Sequence, residues 1–220
     1  MSLFNSPVIQ ALEKAEVVFW DFDGVIKEST KVKSNAYKEL FSGYGESVVK
    51  LVDQHHSANE GVSRFDKIPL YLRWAGEPAT DVQVERFCEN LSKLVVQKVI
   101  DSAWVNGVHQ YISNSYSKKK FILVTATPQN EIELIVDAIG LKKFFNQVYG
   151  APLNKADVIS KVLNQFKINP ERSLMVGDSK TDFIAARLNS VPFILRATTD
   201  NLDMQINNAS GLIFKDLYFE

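Results

Sequence analysis

Two aspartates, Asp21 and Asp23, follow the apolar run Val17–Trp20 and come directly before Gly24. The run has the character of a strand that is buried on both faces, as in a parallel sheet. Side chains two residues apart on a strand point to the same side. Two like charges at such a place are costly unless a cation neutralises them. A simple turn at the end of the strand would explain one of the aspartates but not both, so the pair predicts a site for chemistry.

Other polar side chains follow the later strands of the chain. Thr125 ends the next apolar strand, Asp178 ends another, Asp182 lies one helical turn beyond it, and Lys155 lies at the start of a helix. In an open parallel sheet, ligands bind beyond the carboxyl ends of the strands. We therefore expect these side chains to share one edge of the sheet with the two aspartates.

This set of residue types has a definite chemical preference. Carboxylate oxygens are the ligands that hard divalent cations prefer, which favours magnesium over zinc. A hydroxyl, an ammonium group and the free N–H groups at a helix start would bind the oxygens of a phosphate. The residues alone thus predict a site for magnesium and a phosphate group.

The elements that must position these residues follow two patterns. From about residue 105 onward, strands alternate with helices of about ten residues, which is typical of βαβ units with right-handed crossovers. Between the first two strands, almost every segment has helical spacing. We predict an α/β fold with a three-layer, doubly wound parallel sheet. Residues 1–29 and 104–220 would form this core, and residues 30–103 would form an inserted all-helical cap domain.

Composition narrows the class of protein. The chain has 220 residues, a formal net charge of −1 and 45% hydrophobic residues, which is typical of a globular protein and gives no basic footprint for nucleic acid. Its single cysteine, Cys88, excludes an internal disulfide and a cysteine zinc cluster. No secretory signal and no apolar stretch of membrane-spanning length is visible. We expect a cytoplasmic monomer or weak homodimer that binds a small molecule.

The chain resembles the haloacid dehalogenase superfamily in four ordered motifs: Asp21-x-Asp23-Gly24-Val25, the strand end at Thr125, Lys155, and Gly177-Asp178-x-x-x-Asp182. The resemblance runs from Val17 to about Leu195. The insertion between the first and second motifs is similar to the helical cap of the first type (C1) in that superfamily. The stretches VYGAPLNK and VGDSKTDFIAA are similar to the phosphoglycolate-phosphatase-like branch.

The resemblance implies a role for each catalytic residue. Asp21 would be the nucleophile that forms an aspartyl-phosphate. Asp23 would be the general acid for the leaving oxygen and then the general base for water. Thr125, the backbone N–H of Ala126 and Lys155 would bind the phosphate oxygens.

The resemblance also implies a magnesium ion as cofactor. Asp21, the backbone carbonyl of Asp23 and Asp178 would hold the ion. Asp182 would orient Lys155 or a metal-bound water. The cation and Lys155 together would keep the pKa of Asp21 low.

Two details favour a phosphate ester as substrate. Dehalogenases and phosphonate-cleaving members of the superfamily lack the second aspartate, whereas Asp23 is present here. Members of the β-phosphoglucomutase type carry a histidine on the first cap helix, and none lies between Asp21 and Gln54. We predict a magnesium-dependent phosphomonoester hydrolase for a small metabolite, either a phosphoglycolate-like acid or a sugar phosphate. A phosphomutase and a catalytically weak phosphate-binding or regulatory protein are the alternatives.

The predicted cap contains one segment that is rich in polar groups, residues 55–68. Arg64 and Lys67 in this segment are candidate substrate-binding residues, because they could pair with a carboxylate or with a sugar. The alternative is that both cover a solvated helix face. For His55 and His56 a structural or exposed role is favoured, because the core motifs already supply an acid and a base.

Overall fold

The computed structural model describes residues 6–207 and 211–217, and a six-stranded sheet lies at its centre. The strands are β1 (Val17–Trp20), β2 (Lys120–Pro128), β3 (Gln147–Ala151), β4 (Ser173–Gly177), β5 (Phe193–Arg196) and β6 (Ile213–Phe214). Their order across the sheet is β3-β2-β1-β4-β5-β6, and every neighbouring pair is parallel. The predicted α/β fold with a parallel sheet is therefore confirmed.

Helices cover both faces of the sheet. They are α1 (Pro7–Lys14), α6 (Val108–Ser115), α7 (Gln129–Ala138), α8 (Lys155–Phe166), α9 (Lys180–Leu188) and α10 (Leu202–Ile206). Val18 and Trp20 of β1 pack in the apolar cluster that contains residues of α1, α6 and α7. Val17 and Phe19 pack in a second cluster with residues of α8 and α9. Each face of β1 is covered by helices, which explains why its sequence is continuously apolar.

Four further α-helices lie between β1 and α6. They are α2 (Thr30–Leu40), α3 (Glu46–Ala58), α4 (Arg64–Trp74) and α5 (Asp81–Asp101), and we refer to them together as the helical insertion. Its interior is aromatic, with Tyr37, Phe41 and Tyr71 buried and packed edge to face. The exact division of the chain at residues 29 and 103 stays a prediction. No helix within residues 6–207 and 211–217 has the length and apolar character needed to cross a membrane.

The two connections between the sheet and the insertion run side by side. The backbone N–H of Glu28 donates to the carbonyl of Ala103 at 2.8 Å, and the N–H of Val105 donates to the carbonyl of Ile26 at 3.0 Å. The chain therefore leaves the core and returns to it at nearly the same place.

Candidate functional site

Three buried carboxylates meet at the carboxyl edge of the sheet. Asp21 follows β1, and its N–H continues the pairing with β4 by donating to the carbonyl of Val176 at 2.9 Å. Asp178 follows β4, and Asp182 lies in the first turn of α9. Carboxylate oxygens of the three aspartates lie within 4.8 Å of one another. The strand ends that the sequence predicted to share one edge are thus brought together.

Lys155 is the cation at the centre of this cluster. Its Nζ lies 2.9 Å from Oδ1 of Asp21 and 2.6 Å from Oδ1 of Asp182. Asn154 caps α8 by accepting a hydrogen bond from the N–H of Ala156 at 2.8 Å, which places Lys155 at the first position of the helix. Lys155 thus lies between Asp21 and Asp182, and the role of Asp182 in orienting Lys155 stays a prediction.

Asp182 is itself fixed by the start of α9. The hydroxyl and the N–H of Ser179 both donate to Oδ2 of Asp182, at 2.5 Å and 3.1 Å. The N–H of Asp182 returns a hydrogen bond to the Ser179 hydroxyl, which completes a capping box. Oδ2 of Asp182 thus accepts hydrogen bonds at the start of α9, and Oδ1 binds Lys155.

The charges in the cluster do not balance. Burial and the charge of Asp182 raise the pKa of Asp21 to about 7, although Lys155 acts in the opposite direction. Burial and the charges of Asp21 and Asp182 also raise the pKa of Asp178 well above its usual value. Burial would lower the pKa of Lys155, but the charges of Asp182 and Asp21 raise it above its ordinary value. The protein groups alone therefore do not give Asp21 the low pKa that was expected, and a bound cation would lower it.

The donor set fits a magnesium ion. Three buried carboxylates face one ammonium group, so a divalent cation would neutralise the remaining negative charge. Gly24 leaves room for this arrangement, because its φ is +74° and a Cβ atom there would overlap with Oδ2 of Asp178. A glycine at this place keeps Asp178 free to point toward Asp21.

Asp23 lies beside the cluster in a different environment. Its Oδ1 accepts a hydrogen bond from the hydroxyl of Ser29 at 2.6 Å, and its Oδ2 accepts one from the hydroxyl of Thr127 at 3.1 Å. The ammonium group of Lys33 binds the same Oδ2 and also donates to Thr127 at 2.7 Å. Burial alone would raise the pKa of Asp23, but the charge and hydrogen bond of Lys33, with the two hydroxyls, lower it below its usual value.

These partners of Asp23 were not among the predicted site residues. Thr127 belongs to the same strand end as Thr125, so its place in the chain was a usable signal. Ser29 and Lys33 belong to no motif of the site. Lys33 reaches Asp23 only because α2 lies over the edge of the sheet, which the sequence pattern does not show.

Thr125 and Ala126 lie beside the carboxylate cluster. Both line one cavity together with Asp21, Lys155 and Asp178. The cavity has a volume of about 40 Å³, which is room for only a few water molecules. Residues of the core thus form one side of a small cavity, and phosphate binding by Thr125 and Ala126 stays a prediction.

The helical insertion forms the other side of this cavity, where Arg64 and Lys67 both lie. Both side chains are buried, so the alternative that they cover a solvated helix face is wrong. Nζ of Lys67 lies 3.0 Å from Nδ1 of His56 and donates to the carbonyl of Asn59 at 3.1 Å. It also lies 5.1 Å from the ring centre of Tyr37.

Lys67 and His56 have perturbed pKa values for the same reason. Burial, followed by the charge of Lys33, lowers the pKa of Lys67 to about 7. Burial and the charges of Lys67 and Lys33 lower the pKa of His56 to about 2. His56 is therefore a neutral, buried residue of the cavity. His55 lies outside the cavity lining, with Nδ1 at 3.0 Å from the hydroxyl of Tyr71.

The guanidinium group of Arg64 is directed toward the core. It binds both carboxylate oxygens of Glu131, at 2.7 Å and 2.9 Å. It also donates to the hydroxyl of Ser92 at 2.9 Å and to the carbonyl of Cys88 at 3.2 Å. The role of Arg64 in substrate binding stays a prediction, and its observed partner is a carboxylate of α7.

Comparisons with known proteins identify a relative of the chain and two similar folds. The curated phosphorylated carbohydrates phosphatase of Thermotoga maritima is 25% identical over 183 residues, which are 78% of this chain and 80% of the relative. The fold is similar to the structure of CbbY from Rhodobacter sphaeroides in complex with xylulose-(1,5)bisphosphate, with a TM-score of 0.75, 15% identity, and coverage of 92% and 95%. It is also similar to β-phosphoglucomutase from Clostridium difficile, with a TM-score of 0.73, 17% identity, and coverage of 92% of each chain.

The family comparison covers most of the chain. The model of the haloacid dehalogenase-like hydrolase family matches residues 18–195, which include all four motifs and the helical insertion. The resemblance found in the sequence and the expectation of a hydrolase are confirmed by this match. The chain belongs to the haloacid dehalogenase-like hydrolases.

Proposed function

We propose that the protein is a magnesium-dependent phosphomonoester hydrolase that acts on a small phosphorylated metabolite. One observation carries the proposal. Asp21 binds Lys155 within the carboxylate cluster, and the separately held Asp23 lines the same cavity. A nucleophile, Asp21, and a proton-transfer group, Asp23, can therefore act on the same small substrate.

The residues present would hold the phosphate group and the cation. Thr125, the N–H of Ala126 and Lys155 would bind the phosphate oxygens. Asp21, the backbone carbonyl of Asp23 and Asp178 would hold magnesium. The ion would supply positive charge against the phosphate and the buried carboxylates.

The chemistry of the side chains then has two steps. In the first, a carboxylate oxygen of Asp21 attacks phosphorus, the bond to the leaving oxygen breaks, and that oxygen takes a proton from Asp23. In the second, Asp23 accepts a proton from water, whose oxygen attacks phosphorus and releases Asp21 and inorganic phosphate. The contact with Lys33 favours ionised Asp23, which is the form that the second step needs.

The helical insertion would meet the leaving group. Lys67, His56 and the ring of Tyr37 line the cavity opposite the catalytic aspartates. A cation and a neutral imidazole are suited to hydroxyl groups or to one carboxylate, and the small cavity favours a short carbon chain. These features support a sugar phosphate or a small phosphorylated acid, and the phosphatase from Thermotoga maritima supports the sugar phosphate.

A phosphomutase is the second candidate. The similarity to β-phosphoglucomutase is at 17% identity and concerns the fold. At the place on the first insertion helix where a mutase of that type would carry a histidine, Lys33 here binds Asp23. Because this contact keeps a base next to the cavity for a water molecule, we favour the hydrolase.

The test is phosphate release from a panel of sugar phosphates and phosphorylated acids, with and without magnesium. We expect release that requires magnesium and is lost in Asp21→Asn. The matched control is Asp137→Asn, an exposed aspartate on α7, which should keep full activity. Release that persists in Asp21→Asn, or a folded wild-type protein that releases no phosphate from any ester, would refute the proposal. The cytoplasmic location and the monomeric or weakly dimeric state stay predictions from the sequence.

A further inference from the structure

The helical insertion covers the catalytic residues in this structure. Asp21, Asp178, Thr125 and Lys155 are all buried, and Arg64 and Lys67 of the insertion line the same cavity, whose volume is about 40 Å³. A phosphate ester with several carbon atoms needs more room than this, which movement of the helical insertion away from the sheet would provide. Contacts that join the insertion to the core therefore decide how often the cavity opens.

One such contact lies away from the reacting groups. Arg64 begins α4 of the insertion, and Glu131 lies in the first turn of α7 in the core. The side chains are 5% and 7% exposed, and the guanidinium group binds both carboxylate oxygens. The hydroxyl of Ser92, on α5 of the insertion, also binds Glu131. Glu131 thus binds two different helices of the insertion.

The position of Glu131 separates this contact from catalysis. Glu131 is absent from the lining of the catalytic cavity. It lines instead a cleft of about 490 Å³ between α7 and the insertion, together with Cys88 and Ser92. Arg64 borders both spaces, whereas Glu131 borders only the cleft, so a substitution of Glu131 leaves the lining of the catalytic cavity unchanged.

The energetics of the pair depend on closure. In the closed state each charge has lost its water and is compensated by the other. Removal of one partner leaves a buried charge uncompensated, whereas separation of the two surfaces lets water solvate it. Loss of Glu131 thus penalises the closed state much more than the open state, and it shifts the equilibrium toward opening.

We propose that Glu131 is a positioning residue that keeps the helical insertion closed over the cavity by holding Arg64. The inference rests on the proposed function only in treating this cavity as the place of reaction. Opening itself can be measured without any substrate, so failure of the two proposals can be distinguished.

The single cysteine of the chain provides the measurement. Cys88 is buried, its carbonyl accepts a hydrogen bond from Arg64, and it borders the cleft beside the pair. Its thiol should react with Ellman's reagent only when the insertion moves away or unfolds locally. We would measure the rate of labelling at a fixed pH for the wild type, for Glu131→Gln and for Glu133→Gln. Glu133 is exposed on the same helix and provides a matched control.

We expect labelling of Glu131→Gln to be about tenfold faster than wild type, equal to a shift of about 1.4 kcal/mol toward opening. Glu133→Gln should label at the wild-type rate. In Arg64→Met, labelling should also be faster, and addition of Glu131→Gln to this variant should slow it again, because the uncompensated carboxylate is removed. Thermal unfolding of each variant, followed by circular dichroism, separates opening from a general loss of stability.

Equal labelling rates for Glu131→Gln and Glu133→Gln would overturn the proposal. So would additive effects of Glu131→Gln and Arg64→Met. If Glu131→Gln does not fold, Ser92→Ala provides the test instead. It removes one hydrogen bond to Glu131 and keeps the charges of Glu131 and Arg64. We expect labelling about two- to threefold faster for Ser92→Ala, and an unchanged rate there would reject the role of Glu131.

Discussion

Lys67 provides a direct test of the electrostatics of the cavity. Its side chain is 2% exposed, and its polar contacts are the ring of His56 and the carbonyl of Asn59. Burial and the charge of Lys33 lower its pKa from 10.5 to about 7. We therefore expect Lys67→Met to stabilise the fold, although it removes a group that lines the catalytic cavity.

The sign of the effect follows from proton binding. Between pH values of about 7 and 10.5, the unfolded chain carries a proton on Lys67 more often than the folded protein does. The free energy of unfolding therefore rises with pH across this window. At about 1.4 kcal/mol per unit of pKa difference, the burial of Lys67 lowers the free energy of unfolding of the wild type by on the order of 4 kcal/mol near neutral pH. At pH 9 the cost falls to about 2 kcal/mol.

The assay is urea unfolding of Lys67→Met and wild type at two pH values, near 6.5 and near 9. After the lost hydrogen bonds are included, we expect the variant to be about 1–4 kcal/mol more stable at the lower pH. The gain should be smaller by about 2 kcal/mol at the higher pH. Lys50→Met, at an exposed lysine of α3, is the control. A gain that is the same at both pH values, or a variant that is less stable near pH 6.5, would refute the reasoning.

Two further predictions concern the turn at Gly107, which follows the return of the chain from the insertion to the core, and the environment of Asp23. Gly107→Ala should lower the free energy of unfolding by more than about 2 kcal/mol, because φ is +76° and the new Cβ atom would overlap with the carbonyl of Leu217. Gly76→Ala, also with φ of +76° but with open space around it, should cost only about 1 kcal/mol, and equal losses in urea unfolding would contradict the steric argument. Lys33→Met should raise the pKa of Asp23, since the charge of Lys33 now lowers it. Hydrolysis of the aspartyl-phosphate, which needs ionised Asp23, should then begin to slow at a higher pH on acidification, and an unchanged pH profile of this step would show that Asp23 does not control it.

The sequence was sufficient to predict those strands and helices whose apolar residues follow a simple period. Val17–Trp20 is a strand with helices on both faces, as its continuous apolar run predicted. Lys155 begins its helix, as predicted, because Asn154 supplies the cap. β2 extends beyond the predicted strand end at Thr125 to Pro128, because an irregular register lets it pair again with β3 at Ala151.

The catalytic edge was predictable for a topological reason. All strands are parallel, so residues that follow different strands meet at one edge whatever the connections between them are. Contacts between the insertion and the core have no such rule. The bond from Lys33 to Asp23 and the pair of Arg64 with Glu131 depend on the angle at which the helices lie over the sheet. The sequence therefore predicted which core residues share this edge but not the contacts that the helical insertion makes with them.

The side-by-side connections have a consequence for how the insertion can move. Glu28 is hydrogen-bonded to Ala103, and Val105 is hydrogen-bonded to Ile26. The ammonium group of Lys27 also donates to the carbonyl of Ile100 at 3.0 Å and lies 4.5 Å from the ring centre of Trp104. Two segments joined in this way form a narrow ribbon, which bends more readily across its plane than it shears or twists. We therefore expect the insertion to rotate as one body about a hinge axis at these two connections. The surface that faces the sheet would then separate most where it is farthest from the hinge and least beside it.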